Sequence, residues 1–194
     1  MQAFEQKMQR FFSTLWPAEE KVLVFGEGQC RQPAIMLIGE APGEQETLQR
    51  RPFVGKAGKN LDGFLEVVGL RREELYISNV VKIRPVRISE KGRASNRPPN
   101  KEELALFTPY LYEEILLVQP QLIVTLGNVP LKALAGSKAV IGGMHGALTQ
   151  TSVTHEKQTG VFPLFPLYHP ASIIYNRSLQ EVYQADLLKL KALL

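Results

Sequence analysis

Four short apolar runs alternate with longer segments of helical character, and that alternation constrains the fold more than any other feature of the chain. Ala34-Ile35-Met36-Leu37-Ile38 leads into Gly39-Glu40, and Leu75-Tyr76-Ile77-Ser78 leads into Asn79. Gln121-Leu122-Ile123-Val124-Thr125-Leu126 ends at Gly127-Asn128, and the proline-interrupted run from Val161 to Tyr168 ends at His169-Pro170. Short runs rich in β-branched and aromatic residues and closed by turn formers are strands. Between them the pattern predicts helices over roughly Lys59 to Val68, Lys101 to Gln119, Val129 to Ala135 and Leu179 to Leu193. Alternating strands and helices predict an α/β fold, a three-layer α/β/α sandwich around a mainly parallel sheet of roughly four strands. Ligands of such sheets bind beyond the carboxyl ends of the strands, so Glu40, Asn79, Asn128 and His169 are expected to converge despite their separation in sequence.

With 194 residues, 44% of them hydrophobic, the chain suits one well-packed domain spanning 1–194 and is short for two. Its 23 basic and 19 acidic residues leave a charge of +4, compatible with a polyanionic partner but common without one. No apolar stretch reaches the roughly 20 residues needed to span a bilayer, and Met1 to Pro17 lacks an uninterrupted secretory core. A soluble, cytoplasmic protein with no membrane association, monomeric, is the expectation. Cys30 is the single cysteine, which excludes an internal disulfide and any metal site built from several cysteines.

The stretch from Arg84 to Asn100 shows neither helical nor strand periodicity, holds three prolines, and carries Arg84, Arg87, Lys91, Arg93 and Arg97 against one acid. It reads as a long loop, either a solvated excursion or an arm that contacts a nucleic-acid backbone. Generic nucleotide motifs fail. Gly26-Glu27-Gly28 lacks the third glycine of a dinucleotide fingerprint, and Gly55-Lys56-Ala57-Gly58-Lys59 does not directly follow an apolar strand.

Four segments place chemically competent residues where the apolar runs stop or close by: Gly39 to Glu46, Pro52 to Lys59, Ser78 to Lys82 and Tyr168 to Ser172. With Val24-Phe25-Gly26-Glu27-Gly28, Asn96-Arg97-x-Pro99 and Leu122 to Gly127, they form an ordered set. This set resembles the uracil-DNA glycosylase superfamily, in particular its iron–sulfur (family 4) type, over most of the chain. The resemblance implies that family's fold and an enzyme that flips uracil out of single- or double-stranded DNA, hydrolyses the N-glycosidic bond and leaves an abasic site.

That reaction places positive charge on the sugar and negative charge on the departing base, and the base must leave the stack to be reached. The resemblance implies Phe53 as the stacking platform and Asn79 as the base reader. An Asn amide accepts from uracil N3–H and donates to O4, whereas cytosine presents the reverse pattern. His169 would donate to uracil O2 as charge develops there. Glu40 would lie near the sugar and the attacking water, Ala41 and Gly43 would line the pocket through their backbone, and Glu46 would crowd the base C5 against thymine's methyl group. The bland alternatives are Glu40 and Asn79 as turn caps, Phe53 as a core aromatic and His169 as a structural histidine. Lys56, Lys82, Arg84 and Arg177 are candidate phosphate contacts, and Ile173, in the segment that wedges into DNA in the superfamily, is a candidate wedge or the start of a core-facing helix.

One departure concerns metal. The iron–sulfur type uses four cysteines, two near the N-terminus, one in a Lys-Cys-Arg-Pro stretch and one downstream of Asn-Arg-x-Pro. Here the third position is Ile83, the fourth aligns with Phe107, and no cysteine precedes Val24. A cluster cannot form by that scheme, so no cofactor is expected and apolar packing is expected in its place. Rival readings are a non-catalytic DNA-binding relative and a glycosylase for another deaminated base such as hypoxanthine.

Overall fold

A computed structural model describes residues 1–17, 21–175 and 178–194, with the side chains of 173–175 left out of the description. The elements run α1 (Gln2–Leu15), β1 (Glu27–Gly28), β2 (Ile35–Gly39), α2 (Glu44–Gln49), α3 (Lys56–Val68), β3 (Tyr76–Asn79), β4 (Val86–Ile88) and β5 (Ala94–Asn96). They continue as α4 (Lys101–Val118), β6 (Leu122–Leu126), α5 (Asn128–Ala135), α6 (Ile141–Met144), β7 (Thr149–His155), β8 (Gln158–Leu167), α7 (Pro170–Tyr175) and α8 (Leu179–Lys191).

The four expected strands form the parallel centre of a six-stranded sheet of order β1-β3-β2-β6-β8-β7. β1 and β7 add antiparallel edges that the alternation did not foretell. Successive β2 residues face opposite layers, as the period of two requires: Ile35 and Leu37 pack with Leu61, Phe64 and Leu65 of α3 and Leu187 of α8, and Met36 and Ile38 pack with α1 and α4. Pro163 and Pro166 are tolerated in β8 although they remove ladder donors; Pro166 lies past the last β7 pairing, where its carbonyl takes the Gly146 amide.

Two segments depart from expectation. α1 escaped the reading of the chain, although its buried Phe4, Met8 and Phe12 recur every four residues, the spacing of one helical face. The basic stretch from Arg84 to Asn100 is a hairpin rather than a structureless loop, with β4 and β5 paired from Val86↔Asn96 to Ile88↔Ala94 and every strand residue exposed.

Ile83 and Phe107 lie in the same apolar cluster as Phe4, Met8 and Phe12, 3% and 0% exposed. The Phe12 ring stacks on Phe107 at 4.7 Å and 11°, and on Trp16 at 4.9 Å. These side chains offer no thiolate, so they do not fit an iron–sulfur cluster; they fill that region with apolar packing that ties α1 to α4. Among the described residues no helix is long and apolar enough to cross a membrane.

Candidate active site

The carboxyl ends of β2, β3 and β8 open onto a cavity of about 430 Å³, within the range of small-ligand sites. Ala41, Gly43, Glu46, Phe53, Lys56, Asn79 and His169 all line it, from four separate segments. The parallel pairing carries on beyond the strands: Val80 N–H donates to Gly39 O and Val81 N–H to Glu40 O, so the Gly39-Glu40 turn and Asn79 are held side by side.

Glu46 joins two of the segments. Its carboxylate accepts from the main-chain amides of Gly43 (3.1 Å), Val54 (3.0 Å) and Gly55 (2.7 Å), which makes it a rigid wall of the cavity. The next residue along this wall, Phe53, has φ 53°, a left-handed conformation that a bulky side chain rarely adopts. Arg72 holds it there, donating from Nη1 to Phe53 O (3.0 Å) and from Nη2 to Pro52 O, while its Nε bonds Glu27. The Phe53 ring then lies 6.1 Å from the His169 ring, tilted by 30°.

Asn79 is 3% exposed, and among the described residues no group pairs with its side-chain amide. The amide atoms are not sealed off: they reach the cavity, where water or a ligand can complete their bonding. That removes the turn-cap reading of Asn79 and leaves an acceptor and a donor presented to the cavity. His169 contributes a further donor. Its Nδ1 accepts from Ala171 N–H (3.1 Å), so the neutral ring carries its proton on Nε2. Burial lowers the His169 pKa below 6.5, which keeps the ring neutral at pH 7. Glu40 stands at the margin, half-buried and outside the lining; burial raises its pKa above 4.5.

Other expected positions fall elsewhere. Lys82 was read as a phosphate contact and is not one: it is fully buried, its ammonium bonded to Ser78, Asn79 and Glu114 beneath the cavity. Asn128 turns away to accept from Ile141 N–H, while Gly127, just past β6, lies against His169, where an added Cβ would sit 3.3 Å from the histidine Cβ. Arg84 sits at the rim, bonded to Asn96 Oδ1 (2.7 Å) and to Glu44 (3.3 Å). Lys56 is exposed at the start of α3. The Ile173 side chain and Arg177 lie outside the described residues. Among the other histidines, His145 is tied to Asp186 at 2.6 Å.

Sequence reading gave no role to Arg72 or Glu114, nor to Asn96, which lines the cavity. Arg72 stands in Arg71-Arg72-Glu73-Glu74, indistinguishable from surface charge until the fold sets it under Phe53. Gly39 is required for close approach: a Cβ there would overlap Asn79 Oδ1 and come within 2.5 Å of the Phe53 ring. Gly39→Ala is therefore expected to push both side chains out of place and to lower Tm by several degrees; thermal melting checks it.

The family model of the uracil DNA glycosylase superfamily matches residues 25–191. Proteins named type-4 uracil-DNA glycosylase are similar over most of the chain: that of Sulfurisphaera tokodaii is 36% identical over 87% of this chain and 73% of its own. The one from Saccharolobus solfataricus is 36% identical over 91% and 78%, and the one from Thermotoga maritima 35% over 88% and 82%.

Proposed function

The chain belongs to the uracil DNA glycosylase superfamily, and from that premise we propose that it removes uracil from single- or double-stranded DNA by hydrolysing the N-glycosidic bond, leaving an abasic site. The observation that carries this reading is the Asn79 side-chain amide, without a partner among the described residues, in a cavity that Phe53 and His169 also line. A flipped uracil stacked on Phe53 offers N3–H and O4 to that amide, and its O2 to the Nε2–H of His169. Neutral His169 stabilises charge as it develops on the base without having to give up a proton. Ionised Glu40 favours the cationic sugar and orients the attacking water. Glu46, held rigidly by three amides, excludes a C5 methyl group. Outside the cavity, Lys56, Arg84 and the exposed Arg87, Lys91 and Arg93 of the hairpin meet phosphates.

The test is alkali-revealed scission of labelled oligonucleotides carrying uracil, single-stranded and paired as U·G and U·A. Cleavage is expected, and its rate should fall as the solution is acidified through a limb centred above pH 4.5, because Glu40 must be ionised and burial makes that harder. No alkaline limb from His169 is expected between pH 7 and 8, since its lowered pKa leaves it neutral already. Stability carries the same signs. The raised Glu40 pKa adds stability below 4.5 that is lost as pH rises, so Glu40→Gln should melt a few degrees higher at pH 7 while losing most activity. The lowered His169 pKa acts oppositely, with stability lost as pH falls below 6.5. Binding of DNA without cleavage of any uracil substrate would sink the reading and favour hypoxanthine or a binding role.

A further inference from the structure

We propose that Lys82 and Glu114 are positioning residues of the reaction, their buried ion pair holding the Asn79 peptide so that its amide meets the base in register; this rests on the reading of the site as a glycosylase. Lys82 Nζ has three protons and three acceptors: Ser78 Oγ at 2.6 Å, Asn79 O at 2.7 Å and Glu114 Oε2 at 2.6 Å. Glu114 reaches from α4 and also accepts from Tyr76 O–H at 2.9 Å and from Ser78 O–H. Lys82 and Glu114 are both 0% exposed. Burial and the Glu114 carboxylate push the Tyr76 hydroxyl pKa far up, which keeps it a donor.

Stability alone does not account for this arrangement. Desolvating two charges offsets most of what their attraction returns, and apolar side chains of equal volume commonly do as well or better. What the pair does is local to Asn79. On the open side of β3, the edge strand β1 covers only Tyr76 and Ile77. The Asn79 carbonyl lies past that edge and would be orphaned in the interior, and the Lys82 ammonium supplies its bond. This fixes the peptide plane from which the Asn79 side chain enters the cavity. Between the two residues, Val81 N–H holds Glu40 O, so the same short segment sets the base reader and the carboxylate relative to each other. A charge-assisted bond is a stiffer tether than a neutral one, and a displacement of about 1 Å in such a site costs on the order of 10² in rate.

The experiment separates positioning from folding. A quadruple apolar variant, Tyr76→Phe, Ser78→Ala, Lys82→Met and Glu114→Leu, removes the ions together with the hydroxyls they satisfy. It is compared with wild type for Tm, for Kd on a uracil-containing oligonucleotide and for single-turnover cleavage at saturating protein. The expected result is a folded protein whose Tm is lower by several degrees, because the Asn79 carbonyl loses its donor, with a Kd within about threefold and a cleavage rate at saturating protein, well below the melting transition, lower by about 10²-fold. Glu114→Gln, isosteric and retaining hydrogen-bonding groups, is the second variant, with an expected loss of about tenfold in the same rate and little change in Kd. Wild-type cleavage in the folded quadruple variant overturns the proposal, and if that variant does not fold, wild-type cleavage by Glu114→Gln does so instead. Wild-type protein that cleaves no uracil substrate overturns the glycosylase reading and this proposal with it; active wild type with equally active variants overturns this proposal alone.

Discussion

Asn79→Ala lowers kcat/KM on uracil-containing DNA by about 10³-fold, roughly 4 kcal/mol of transition-state stabilisation, and leaves Tm almost unchanged. Both halves of this expectation come from the same observation. The amide has no protein partner among the described residues, so truncating it orphans nothing and removes no packing bond. On the proposed reading it is the group that meets the base edge, and a polar site that loses its partner there loses several kcal/mol. His169→Ala is expected to cost about 10²–10³-fold, as loss of one donor to a developing anion commonly does. Parallel single-turnover kinetics and thermal melts check the split. If Asn79→Ala lost stability in proportion to activity, the residue would be a structural cap after all.

Phe107→Ala is expected to destabilise the protein by about 3–5 kcal/mol, a fall in Tm on the order of 10 °C for a chain of this size. Phe107 is fully buried and stacked face to face on Phe12 of α1. Removing the ring opens a cavity where the two helices meet, beside Trp16 and within the same apolar cluster as Ile83, while the Phe11 and Phe12 contacts with Tyr110 remain. Measured well below the melting transition, kcat/KM should change less than about threefold, because the cavity residues rest on β2, β3 and β8 rather than on α1. Chemical denaturation with a two-state fit gives the number. A loss under about 1 kcal/mol would show that this aromatic stack does not tether α1 to α4.

How legible was the site? Phe53, Asn79 and His169 were each identifiable from the residues that flank them, and the fold brings all three to one cavity. Their roles remain proposals, but their convergence follows from the parallel sheet, which gathers strand ends that are distant in sequence. Lys82 shows the limit. Next to Ile83 and Arg84 in a basic stretch it looks like one more surface cation. Its partner Glu114 lies 32 positions away on α4, and nothing local marks a pairing of that span. Glu46 and Arg72 teach the same point, since the acid looks like first-turn helix charge and the arginine like solvent charge, while both hold main-chain groups of the Phe53 turn.

Local pattern determined what depends on neighbours in the chain. The period of apolar residues set the four central strands and the helices between them, and Ile83 and Phe107 stand where the resemblance called for cysteines, so those two positions offer no thiolate. Tertiary structure decided what depends on burial and long-range pairing. It turned Lys82 inward and Asn128 aside, built a hairpin from an unpatterned basic stretch, packed α1 against Phe107, and opened the Asn79 amide to the cavity with no partner among the described residues. The reason is physical: a charged or polar side chain takes its role from whether water remains beside it, and only the packed fold sets that.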